Sequence, residues 1–268
     1  MYCTNRNHKE KIKTTLKNTL IFILPFLVVI PFWEVISQLN LIAQLPAPSE
    51  IFEKFLYMAF EIDVLSQHLI GSIYRLIIGY ILAVTFGIFL GTIIGLKKII
   101  SDIFTPILSL LISIPTIAWV PVLLITLGLG DETVIAAVFL GGFFTITYSV
   151  IHGIKTVNKN LINAGKIAGA GKYKLFESVL LPGSLVSLIP GLRLAIGYSW
   201  RALVGAEMLA AMVRWGVGKM IFTARMSNVV ETMFLGLVLI GIAGLLLDRL
   251  LLYIEYRTVV KWGMVTEG

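Results

Sequence analysis

Long apolar runs without charge, separated by short polar and basic stretches, recur along the whole chain. About 20 largely apolar residues suffice for a helix to cross the hydrocarbon core of a membrane. The run at 76–96 holds no charged residue. A second, 103–130, is also uncharged but contains Pro106, Pro115 and Pro121, which predict kinks or a short broken helix before the main span. A third covers 133–151, and a fourth covers 232–247 between Glu231 and Asp248. A first span starts near Asn18, passes Pro25 and Pro31 and ends at about Leu39, with Glu34 towards its far end. The remaining run, 183–213, is apolar but carries Arg193, Arg201 and Glu207. The pattern predicts an all-α integral membrane protein with about six transmembrane helices.

Gly87, Gly91 and Gly95 recur every four residues in the second span and line one helix face. In lipid, small residues at that spacing let two helices approach closely. They predict a packing stripe, facing either another helix of this chain or a second subunit.

Composition agrees with this pattern. Of 268 residues, 57% are hydrophobic and only 14% charged, against roughly 45–50% and 25% in soluble domains; mean hydropathy is +0.92. A disordered chain, a collagen-like fibre and a disulfide scaffold are excluded, and a soluble enzyme is disfavoured. Cys3 stands alone, so no intrachain disulfide forms.

The net charge of +7 acquires meaning from its distribution. With the N-terminus inside, fifteen Lys and Arg fall on the cytoplasmic side: Arg6 to Lys17, Lys97 and Lys98, Lys155 to Lys174, and Arg249, Arg257 and Lys261. Five fall outside: Lys54, Arg75, Arg214, Lys219 and Arg225. By the positive-inside rule both termini are cytoplasmic, and the basic charge is a topology signal, with no nucleic-acid partner implied. The first apolar stretch is too long for a cleaved signal and no small-residue cleavage site follows it. The chain divides into a cytoplasmic segment, 1–17, and a transmembrane domain, 18–268, with its core at 64–255 and a cytoplasmic loop at 155–182.

Enzyme signatures are scarce. His8, His68 and His152 lack metal-ligand spacing, and HExxH and GxSxG are absent. The stretch Gly169-Ala170-Gly171-Lys172-Tyr173 resembles a phosphate loop but fails: the first loop glycine would fall at Lys166, and Tyr173 stands where Ser or Thr should hold Mg²⁺. No catalytic residue, cofactor or metal is expected on this chain, and any ATP must be bound by a partner.

The loop 155–182 is rich in Lys and has helical periodicity, with Ile162, Ile167, Ala168, Leu175, Val179 and Leu180 roughly on one side. Gly169-Ala170-Gly171 interrupts it and Pro182 ends it. Two short amphipathic helices joined by a glycine turn are predicted, lying on lipid or docking a cytoplasmic partner. Within the span that follows, at 1.5 Å per residue, Arg193 would lie roughly 16 Å and Arg201 about 28 Å above Pro182. Charges at such depth face a cavity or a partner. They would attract an anion through bidentate guanidinium contacts, or pair structurally with Glu207 or backbone carbonyls. Trp119, between prolines, is read as packing or an interfacial anchor.

The segment Asn163-Ala164-Gly165-Lys166-Ile167-Ala168-Gly169, followed by Leu181-Pro182, resembles the EAA loop of ABC importer permeases. Leu45 to Ile51, His68, Ser72, Arg75 and Gly79, Ser113-Ile114-Pro115, Ala118 to Pro121, Leu127 to Glu132, Gly191 to Leu194, and Ala206 to Leu209 resemble the nitrate/sulfonate/taurine branch of that family, in order, over roughly residues 45–220. Two positions depart: Asn163 replaces the leading Glu of the loop motif and Gly165 its second Ala. Asn163 hydrogen-bonds but forms no ion pair.

The resemblance implies the type I ABC importer (MetI-like) permease fold in the bacterial cytoplasmic membrane. It implies an ATPase-docking role for Asn163, Ala164, Gly165, Gly169, Leu181 and Pro182, in coupling helices that sit in a groove of the ATPase. It also implies a second permease, usually an identical copy, two ATPase subunits that bind Mg–ATP, and an extracytoplasmic solute-binding protein. The branch favours small oxyanions such as nitrate, taurine or other sulfonates; similar sequences also carry thiamine-pyrimidine or riboflavin-type precursors. An ATP-independent secondary transporter or channel would show inverted repeats, and none is evident. A membrane enzyme would need a catalytic constellation, for which only Arg193, Arg201 and Glu207 are on offer.

Overall fold

A computed structural model describes residues 24–61, 64–210 and 212–257. The expected cytoplasmic segment 1–17, the start of the first span and Lys261 lie outside the described residues. Among the described residues eleven α-helices follow in order: α1 (Leu24–Gln38), α2 (Pro48–Leu56), α3 (Val64–Gly95), α4 (Lys98–Ser113), α5 (Val120–Leu127), α6 (Asp131–Thr156), α7 (Lys159–Ile167), α8 (Lys172–Leu175), α9 (Leu181–Leu209), α10 (Val217–Met226) and α11 (Val230–Glu255).

Among the described residues α3, α6, α11 and the continuous stretch Lys172–Leu209 are each long and apolar enough to cross a membrane. The proline-interrupted run forms the pair α4 and α5, bent by 90° at the Ser113–Thr116 break, and counts as one further span. The shorter apolar α1 is the described part of the first. The bend follows from Pro115, which disfavours helical backbone at the residue before it: Ile114 is extended (ψ 120°), and a tight turn at Thr116–Trp119 then leads into α5. Pro106, by contrast, is absorbed inside α4.

Helix α6 is the central post. In its most apolar stretch 56% of residues are buried within the protein, against 17% for α11, so α11 lies at the periphery of the bundle. Helix α3 packs on α6 through the predicted glycine stripe. A Cβ on Gly87 would meet Ile146, one on Gly91 would lie 2.7 Å from Val150 Cβ, and one on Gly95 would press on Ile154. The other faces of α3 expose Ile70, Ile73, Ile77, Ile81 and Phe89. Helix α9 approaches α6 in the same manner, with Gly141 against the Ser199 backbone and Gly153 against Ser184.

Helix α3 begins twelve residues before the uncharged run predicted for it, at Val64. Arg75 therefore sits inside the helix, buried, and does not belong among the outer-loop cations. The inside–outside charge asymmetry is stronger for the correction. Outside, α2 starts at Pro48 with Glu50 accepting from the Ala47 N–H at 2.8 Å. Glu34 of α1 accepts from Ser49 Oγ at 2.7 Å, which ties the outer end of α1 to α2.

Candidate functional site

The cytoplasmic loop folds as a helical hairpin. Asn158 caps α7, its side chain accepting from the Asn160 N–H at 2.8 Å. At the far end the Ala170 N–H donates to Gly165 O at 3.0 Å and the Gly169 N–H to Lys166 O at 3.0 Å, the paired bonds of a Schellman cap. That cap needs a left-handed residue, supplied by Gly169 at φ +78°. Gly165 lets the two arms meet: a Cβ there would lie 2.8 Å from Leu175 Cδ1. The helix restarts at Lys172 and runs through Phe176–Leu180 into α9 without a break. Whatever grips the hairpin therefore grips the end of a transmembrane helix.

The hairpin's free surface mixes apolar and basic groups. Ile167 is 88% and Tyr173 78% exposed, and Leu161, Asn163, Ala164, Lys166, Lys172 and Lys174 are exposed beside them. Ile162, Leu175, Val179 and Leu180 are partly buried, as their spacing predicts. Ile167 and Ala168 depart from that inner face and point away from the protein. Leu181 is exposed and Pro182 partly buried in the first turn of α9.

A second site closes the outer end, where α3, α6, α9 and α10 converge. Glu207, fully buried, accepts from Arg75 Nη1 at 2.8 Å, from Ser72 Oγ at 2.9 Å and from the Gly218 N–H at 3.0 Å. Arg75 also donates from Nε to Asp131 at 2.9 Å and from Nη1 to Trp215 O at 2.6 Å. Ser72 Oγ accepts from the Val217 N–H at 2.9 Å, and His68 Nδ1 lies 2.8 Å from Gly216 O. Gly218 permits the approach, since a Cβ there would lie 2.5 Å from Val204 O. Every group in this clamp has a partner, the condition under which a buried charge is tolerated.

The three charged residues expected in the 183–213 span do not converge. Arg193 donates to Asp248 from Nε at 2.8 Å and Nη2 at 3.1 Å, and from Nη1 to Glu255 at 3.3 Å. It thus fastens α9 to α11, and its structural partners are these two acids in place of Glu207. Arg201 is exposed, its guanidinium 6.0 Å from the Tyr198 ring. Glu207 belongs to the clamp. Residue-by-residue chemistry had missed the rest of that clamp, though its signal was present: His68, Ser72 and Arg75 stand at i, i+4 and i+7, one polar face at the top of a helix. Among the described residues no group of three His, Cys, Asp or Glu is placed to hold a metal ion.

Residues 83–260 match the family model described as binding-protein-dependent transport system inner membrane component. The chain is 32% identical over 244 residues to the taurine transport system permease protein TauC of Escherichia coli, covering 89% of this chain and 88% of TauC. It is 32% identical over 191 residues to the nitrate import permease protein NrtB of Synechocystis, covering 71% of this chain and 69% of NrtB. Among solved structures, one of the inward-facing MetNI methionine ABC transporter superposes with a TM-score of 0.56 at 18% identity, covering 75% of this chain and 97% of that one. This last likeness speaks to the fold alone.

Proposed function

The chain belongs to the family of binding-protein-dependent transport system inner membrane components, and from that premise we propose how this permease is coupled and what it carries. It is a multi-pass subunit of an ABC importer in the bacterial inner membrane, and it works with an ATPase and a binding protein. ATP is hydrolysed on a separate subunit, two copies of which bind Mg–ATP beneath a pair of identical permeases. The solute is a small oxyanion of the sulfonate or nitrate type, in keeping with the solutes named for TauC and NrtB.

One observation carries the coupling reading: the hairpin α7–α8 presents exposed Ile167 and Tyr173 among lysines on an uninterrupted extension of α9. An apolar surface of that kind suits a groove on a partner, in the helix-in-groove mode. Asn163, Ala164, Gly165, Gly169, Leu181 and Pro182 are its docking and shaping residues. ATP-driven closure of the two ATPases would move both hairpins and, through α9, switch the path between inward-open and outward-open.

For the solute, Arg201 is the better candidate of the two arginines, because Arg193 is already held by two acids. Proteoliposomes containing the permease, its ATPase and its binding protein test both readings. Uptake of taurine or nitrate is expected to require ATP, and Arg201→Gln to raise the half-saturating concentration of loaded binding protein or lower the uptake rate at least threefold. ATP-independent uptake would replace the importer reading by a secondary transporter. Uptake confined to a thiamine-pyrimidine or flavin precursor would replace the oxyanion. Unchanged uptake in the Arg201 variant would remove that residue from the path.

A further inference from the structure

A groove of about 370 Å³ runs along the seam where α1 and α2 meet the outer half of α11. Ile51 and Leu235, both buried, lie at its floor, and Phe52, Val238 and Ile242 form an exposed rim. Trp33 of α1 lines the same groove and packs on Phe234, the ring centroids 5.8 Å apart. Its indole N–H is buried and, among the described residues, has no acceptor. A buried tryptophan N–H ordinarily finds one, and an unpaired donor in apolar surroundings is costly. Trp33 stands five residues before the outer end of α1, about 7.5 Å down the helix, and Leu235 to Ile242 lie about 7.5 to 18 Å into α11 from its outer end.

We infer that this groove binds one ester-linked acyl chain of an outer-leaflet glycerophospholipid, the Trp33 N–H donating to the ester carbonyl. Depth and chemistry agree. Tryptophan favours the membrane interface, the level at which ester carbonyls stand, and the groove continues from Trp33 into the hydrocarbon. A transmembrane helix of a partner would fill the apolar floor but leave the indole unanswered, because its backbone carbonyls are committed within the helix. An ester carbonyl carries no such commitment. The bound chain also closes a seam: α1 and α2 precede the stretch 83–260 that matches the family model, whereas α11 belongs to it. The lipid therefore fastens an added helix pair to the conserved bundle. The inference stands whichever solute the permease carries.

The test uses the full transporter in detergent, supplied with equal amounts of diester and diether phosphatidylethanolamine of matched chains, and native mass spectrometry counts what is retained. Wild type is expected to retain the diester lipid at least threefold over the diether, the scale of one net hydrogen bond. Trp33→Phe keeps an aromatic ring and removes the donor, so it is expected to lose that preference. Val238→Trp fills the groove from its rim and is expected to lower retention of both lipids at least threefold, with melting in lipid-free detergent unchanged. If Val238→Trp melts lower there, the ester preference of wild type against Trp33→Phe decides alone. A wild type without ester preference, or a Trp33→Phe variant that keeps it, overturns the hydrogen bond and the site with it. Retention unaffected by a well-folded Val238→Trp places the lipid elsewhere and overturns the groove. A wild type that retains no lipid, its rim instead cross-linking to a second protein chain through Val238→Cys, overturns the inference in favour of a protein interface.

Discussion

Arg75→Ala is expected to destabilise the permease by about 3–5 kcal/mol, the scale for breaking a buried ion pair from one side. The Glu207 side chain is wholly buried and that of Arg75 only 5% exposed. Removing the guanidinium leaves the carboxylate with Ser72 Oγ and the Gly218 N–H alone, too little to offset the desolvation of a full charge. It also strands Trp215 O, whose bond to Arg75 ties the α9–α10 connection to α3. In detergent a fall in Tm on the order of 10 °C is expected, read by tryptophan fluorescence.

Two companion variants separate charge burial from general damage. Asp131→Asn should cost no more than about 1 kcal/mol, because Asp131 is 49% exposed and water screens its share of the clamp. The double change Arg75→Met/Glu207→Gln should recover at least half of the loss, since no buried charge is left unpaired and Gln still accepts from Ser72 and Gly218. Equal melting of Arg75→Ala and Asp131→Asn, or a double variant weaker than both singles combined, would show that the cluster is not the outer tie it resembles.

The same cluster marks the limit of what the sequence discloses. The run 76–96 stops at Arg75 because a hydropathy reading treats any charge as the end of a span. A charge paired inside the protein does not end one, and its partner Glu207 lies 132 positions away, beyond the reach of local pattern. Uncharged spans such as α6 were legible because nothing interrupts them, and the α4–α5 bend because Pro115 restricts its neighbour. The glycine stripe announced a close contact but not its partner; Val150 and Ile154 of α6 fill that place. In the cytoplasmic hairpin the glycine turn and both arms were legible. The outward direction of Ile167 was not, because Ile167 is the last residue of α7 and follows the inward Ile162 by five positions, about 140° round the helix.

Gly169→Pro is expected to reduce the stimulation of ATP hydrolysis by loaded binding protein at least tenfold, with the permease inserted and melting within a few degrees of wild type. The reason is geometric. Gly169 sits at φ +78°, whereas the proline ring fixes φ near −65° and removes the N–H that donates to Lys166 O. Losing that donor breaks one of the two cap bonds, and the required change of φ displaces Ala170 from the other. The two arms then leave α7 and α8 at a new angle, carrying Ile167 and Tyr173 with them. The glycine is exposed and a Cβ there would meet nothing within 4 Å, so the damage stays in the turn and does not spread to the transmembrane core. Gly169→Ala, which meets only the left-handed backbone cost of about 1 kcal/mol, should retain most of the coupling, and Gly169→Asn more, since Asn tolerates that conformation best after glycine. A graded series Gly, Asn, Ala, Pro would tie coupling to backbone angle at one residue. Full stimulation in the proline variant would mean that the ATPase is engaged elsewhere on the cytoplasmic face, and the docking role of Asn163 to Pro182 would fall with it.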